Sequence, residues 1–133
     1  MTRRTYSLIL ITFSSAFFAF ACSSTKSPSD VVKVVYKAAN DGKYSEVEKH
    51  LSGKMLNAIN GKLGPYANGV KGLFDGETRN RTVENIDIER EEVRGNGAAV
   101  YFATRYKDGT TLNNQVALLV KEHNDWKMTI ASP

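Results

Sequence analysis

Few side chains in this sequence are of the types that do chemistry, and their spacing restricts them further. The 133 residues hold one cysteine, Cys22, and two histidines, His50 and His123. One thiol makes no intrachain disulfide, and two separated histidines make no metal-ligand spacing, so no metal or other cofactor is expected. His50 follows Lys49 in a short helical stretch and His123 follows Glu122 in a turn, so both are expected to be solvated. Glu84, Asp87, Glu89, Glu91 and Glu92 crowd one strand, mostly at odd positions that should point outward. Paired catalytic carboxylates need one that is buried with a raised pKa, and nothing in that run requires it. The stretch "GKLGPYANGVKGLFDG" is rich in glycine but has no preceding strand and no Gly-Lys-Ser/Thr ending, so it is not a phosphate cradle. A polar set remains. Thr104 and Asn114 are expected to face each other within an otherwise apolar row, with Arg90 joining if its strand keeps phase. They read as a hydrogen-bonded pair near the open end of a sheet or as a polar contact inside a ligand pocket. That pocket would be lined by Tyr36, Phe102, Trp126 and Met128. Each of these four is equally at home in an ordinary core.

The N-terminus carries an address. Arg3 and Arg4 precede apolar Leu8–Ile11 and Phe13–Phe20, and small Ala21 precedes Cys22. These are the three regions of a secretory signal peptide over residues 1–21. The apolar run is too short and too broken by Ser14 and Ser15 for a membrane span, which wants about 20 apolar residues. "FAFACSS" resembles a bacterial lipoprotein lipobox, although Ala19 and Phe20 depart from the usual leucine and small residue. The resemblance implies that Cys22 takes a diacylglycerol group and becomes the first residue of the mature chain. Two or three acyl chains anchor a domain durably, at about 0.8 kcal/mol per buried CH2. Ser23 in place of aspartate favours the periplasmic face of an outer membrane where two membranes exist. "TRRTYSL" also resembles a twin-arginine export motif. An ordinary basic start explains the same residues.

Removing 21 residues from 133 leaves 112, enough for one domain with a modest core. The loss of Arg3 and Arg4 takes Lys+Arg from 18 to 16 against 14 Asp+Glu, and the net charge from +4 to +2. No nucleic-acid partner is expected on that balance. Residues 22–29 read as the lipidated cysteine and a short polar tether, and 30–133 as the domain.

The domain changes period half-way. Ser27 can cap a helix with Pro28 at its first position, and Val31, Val34, Val35 and Ala38 recur at helical spacing, extended by Val32, Tyr36 and Ala39. Gly42 stops it. Ser45 with Glu48 gives a capping-box pattern for a second helix carrying Val47 and Leu51 inward. Pro65, Tyr66, Val70, Leu73 and Phe74 suggest a third, weak helix. From Thr82 the period is two. Strands form around Ile86–Ile88, Val100–Tyr106, Leu112–Val120 and Trp126–Ile130, with turns at "RGNGA", "KDGTT" and "EHNDW". This is an antiparallel meander. Matching apolar rows favours a three-residue turn over 108–110, which sets Phe102 opposite Val116 and Thr104 opposite Asn114. A three-residue turn over 123–125 likewise sets Val120 opposite Met128 and Leu118 opposite Ile130.

Helices followed by a curved antiparallel sheet make an α+β fold. "SPSDVVKVVYKAANDGKYSEVEKHLS" and "VALLVKEHNDWKMTI" resemble the opening helices and the last hairpin of small bacterial lipoproteins with a nuclear transport factor 2-like domain. The resemblance implies a cone in which helices close over the sheet, sometimes around a pocket, and commonly no assigned activity. Three functions are in view. The first is non-enzymatic binding of a small apolar ligand or an envelope protein by a lipid-anchored domain, as a monomer or a dimer. The second is an isomerase or dehydratase of the wider fold, with Thr104, Asn114, Tyr36 or Arg90 supplying the chemistry. An acid or histidine reaching the cavity would favour it. The third is envelope-surface binding of anionic lipid or cell-wall polymer through Arg79, Arg81, Arg94, Arg105 and Lys107, a set interleaved with acids.

Overall fold

A computed structural model describes residues 26–62 and 64–131. The signal segment, Cys22 and the start of the tether lie outside the described residues. Four helices precede a four-stranded antiparallel sheet whose strands lie side by side in chain order, the expected α+β meander. No described helix is long and apolar enough to cross a membrane.

Helix α1 spans Pro28–Asn40, and Ser27 and Asp30 cap it reciprocally, each side chain accepting from the other's backbone N–H. Val31, Val32, Val35, Tyr36 and Ala38 are buried, while Val34 is only half-buried. Apolar residues on so much of the helix let a valine-rich segment stay helical, because burial of each side chain is worth about 1.5–3 kcal/mol and outweighs its weak propensity. Helix α2, Tyr44–Glu48, begins at Lys43 without the expected Ser45 cap. A further helix, α3 (Gly53–Asn60), was not signalled as such by the period but has its own cap, Ser52, with Met55 and Ile59 buried one turn apart. A 3-10 turn over Gly64–Tyr66 leads to α4, Gly69–Thr78, which buries Val70 and Phe74.

The segment between α2 and α3 closes one edge of the sheet. Met128 N–H donates to His50 O and Ser52 N–H to Met128 O, both at 2.8 Å, so residues 50–52 run parallel to the last strand. Ser52 is fully buried; it accepts from Met55 N–H at 3.1 Å and donates to Thr129 Oγ1 at 2.8 Å. Ser52→Ala removes a cap and leaves the half-buried Thr129 hydroxyl without its donor, so thermal unfolding should report a loss of about 1–2 kcal/mol.

The strands are β1 (Val83–Arg94), β2 (Gly97–Tyr106), β3 (Thr111–Glu122) and β4 (Asp125–Thr129). β2 buries Val100, Phe102, Thr104 and Tyr106, as its period indicates. The register of β3 departs from expectation. Phe102 pairs with Gln115 rather than Val116, and Thr104 with Leu112 rather than Asn114. The inward row is therefore Gln115, Ala117 and Leu119, while Val116 is 50 % exposed. Two local features fix this. The β3–β4 turn holds only His123 and Asn124, both at positive φ (50° and 68°), which sets Leu119 opposite Met128 and Leu118 opposite Thr129 instead of Ile130. Nearer the other end, the pairing shifts between Phe102 and Thr104, and Asn114 takes φ 57° at the irregularity. A bulge there changes which residues face inward, which matching of apolar rows alone does not anticipate.

Candidate functional site

β4 pairs with β3 only over Leu118–Glu122, so among the described residues the edge of β3 from Thr111 to Ala117 has no neighbouring strand beyond it. A groove of about 340 Å³ opens there, walled by β3 and the end of β4 on one side and by Met55, Tyr66, Leu73 and Phe74 of the helical half on the other. Tyr36 and Phe102 form part of its lining. The interior of the cone behind them is packed: the Tyr36 ring meets Phe74 and Phe102 edge-on, each at a centroid distance of 5.5 Å. The pocket that the resemblance allows inside the cone is here a surface groove over an aromatic floor.

Among the described residues one side-chain carboxyl reaches this groove, that of Glu77 near the end of α4. Its Oε1 accepts from the Tyr36 hydroxyl and from Gln115 Nε2 at 3.3 Å. Gln115 is held in turn by Thr104, whose Oγ1 donates to Gln115 Oε1 at 2.5 Å. α1, α4, β2 and β3 therefore each contribute one member to a continuous polar chain. Glu77 as a residue is exposed, but its carboxyl turns back against Tyr36. Desolvation of the carboxyl raises its pKa above the usual range, against the Tyr36 hydrogen bond, which lowers it. Burial, followed by the neighbouring Glu77 charge, pushes the Tyr36 phenol far above its ordinary value, so Tyr36 remains a neutral donor.

Tyr106 is another buried phenol, with its ring under the Arg81 guanidinium at 3.9 Å and its hydroxyl without a hydrogen-bond partner among the described residues. Arg81 is fixed by Thr78 O at 3.0 Å and Thr110 Oγ1 at 2.8 Å. A smaller hollow of about 190 Å³ beside Arg81 is lined by polar groups already engaged with one another, Asn40 with Val83 N–H and Thr78 with Phe74 O.

Of the residues singled out in the sequence, Tyr36, Phe102 and Met128 come together in the groove. Thr104 joins only through Gln115. Trp126 is buried away from it, with Lys121 over its ring at 5.3 Å. Asn114 is exposed because the shifted register turns it outward. Arg90 is exposed too, stacked on Tyr101 at 3.9 Å and paired with Glu92 at 3.1 Å. His50 is half-buried rather than solvated, its pKa lowered chiefly by desolvation, but it lies outside the groove. Sequence reading missed Glu77 and Gln115. Glu77 follows Phe74 by three residues and Val70 by seven, so helical spacing places it on their face. Gln115 was hidden by the register. No group of three metal-ligating side chains occurs among the described residues.

Neither a family model nor a curated protein matches the chain. Among solved structures, the chain is similar to a Campylobacter jejuni protein described as an NTF2-like transpeptidase. The two superpose with a TM-score of 0.57 at 15 % identity, over 80 % of this chain and 100 % of the other. The fold is nuclear transport factor 2-like. At that identity the likeness is one of fold, and the site must be argued from its own residues.

Proposed function

We propose that this chain is a lipid-anchored protein of a bacterial envelope that binds a small, largely apolar molecule in the groove beside β3. The observation carrying the binding reading is the apolar lining at an unpaired strand edge, where Tyr66, Leu73 and Ile130 are left only half-buried. Partly exposed apolar side chains gathered at a concavity mark binding surfaces more often than scattered ones do. The anchor reading is supported by the N-terminal signal pattern ending at Cys22. The groove holds no evident nucleophile for a transpeptidase: it presents no cysteine or serine among its described residues, and its one threonine hydroxyl, on Thr129, already accepts from Ser52.

Native mass spectrometry of the mature protein from membranes should show the mass of residues 22–133, an added acyl mass and a co-isolated small molecule. Cys22→Ala should move the protein to the soluble fraction. Retention of that variant in membranes would overturn the anchor, and a ligand-free groove in wild type the binding.

The enzymatic reading has one observation in its favour, because an acid does reach the groove, with a raised pKa and a neutral phenol beside it. Conversion of the co-isolated molecule by wild type and not by Glu77→Gln would select it; recovery unchanged would select binding.

A further inference from the structure

The head group of the groove's ligand can be read from Glu77, given the binding reading above. Both neutral donors, Tyr36 and Gln115, end on Oε1, and no hydrogen bond or ion pair among the described residues engages Oε2. Among the described residues no lysine, arginine or histidine lines the groove. The two donors orient the carboxylate without neutralising it. Four rings, those of Tyr36, Tyr66, Phe74 and Phe102, line the same space. A carboxylate among aromatic faces is the arrangement that attracts an organic cation, whose charge meets the carboxylate and whose methylenes meet the rings. We infer that the groove takes an aliphatic ammonium compound, with its nitrogen at Glu77 and its tail along Leu73, Met128 and Ile130.

Lys54 donates to the carbonyl of groove residue Ala131 at 3.0 Å, a contact of the opposite polarity, which an anionic head would seek. The test separates the two. The mature lipidated protein in non-ionic detergent is titrated calorimetrically with hexylammonium, hexanol and hexanoate, which share one tail. Hexylammonium should bind about tenfold more tightly than either of the others. Glu77→Gln should bring it to the level of hexanol while hexanol binding persists, which also shows that the groove is intact. Equal affinities for the three heads, or tightest binding of hexanoate, overturn the inference and leave the binding reading standing. No binding of any probe to wild type overturns both. If Glu77→Gln loses hexanol as well, the ranking on wild type decides.

Discussion

Phe102→Ala is expected to be the most damaging single change in the domain, costing about 3–5 kcal/mol. Phe102 is 2 % exposed, lies edge-on to Tyr36, and stands where the helices meet the middle of the sheet. A void there cannot collapse easily, because Val35, Val100 and Tyr36 around the core are themselves close to fully buried. Total stability of a domain of this size is about 5–15 kcal/mol, so the melting temperature should fall by roughly 10–30 °C. Val116→Ala provides the contrast. With Val116 half exposed and facing away from Phe102, it should change stability by no more than about 0.5 kcal/mol. A comparable loss from both variants would show that Val116 packs opposite Phe102 and would refute the observed register.

That contrast marks where sequence legibility ended. Period alone located α1, β2 and the meander, since an apolar face that recurs every three to four residues or every two has few ways to be buried. It also gave the inward row of β2 correctly. It failed on β3, where both rows are apolar: Val116 and Leu118 on one, Ala117 and Leu119 on the other. Choosing the larger residues for the core was the wrong criterion. The turn at His123–Asn124 and the irregularity at Asn114 decided the matter through backbone conformation at positive φ, which asparagine tolerates. The error propagated to the site. Gln115 was placed outside, Asn114 inside, and Thr104 was given the wrong partner. Glu77 was overlooked for a different reason: the apolar spacing that marks α4 stops at Phe74, one turn before the carboxylate that faces the groove.

Glu77→Gln is expected to make the domain more stable at neutral pH and to flatten its pH dependence. The sign follows from the raised pKa. An unfolded glutamate titrates near 4.3, and in the folded protein desolvation holds Glu77 above that. Between the two values the folded state binds more protons than the unfolded one, so stability falls as pH rises. The protonated form's contribution is complete below about pH 4.3 and is lost by the time pH has passed the folded pKa. Glutamine resembles the protonated carboxyl in shape and cannot ionise, so the variant avoids that loss. Tyr36 and Tyr106, the titratable groups that face Glu77 from α1 and β2, have raised pKa values and stay neutral throughout. Groups with lowered values, such as Glu46 and Asp108, cancel because they are common to both proteins. Urea unfolding from pH 4 to pH 8 should therefore give curves that coincide at the acid end and diverge in favour of the variant. Tyr36→Phe should act oppositely, because it removes the hydrogen bond that lowers the Glu77 pKa. Parallel curves would mean that the Glu77 carboxyl is as well solvated in the fold as in the unfolded chain. In that case it would need no counter-charge, and the reason to place a cationic ligand beside it would be gone. Divergence would leave a fold that retains an acid at the expense of its own stability, which a cation arriving in the groove would offset.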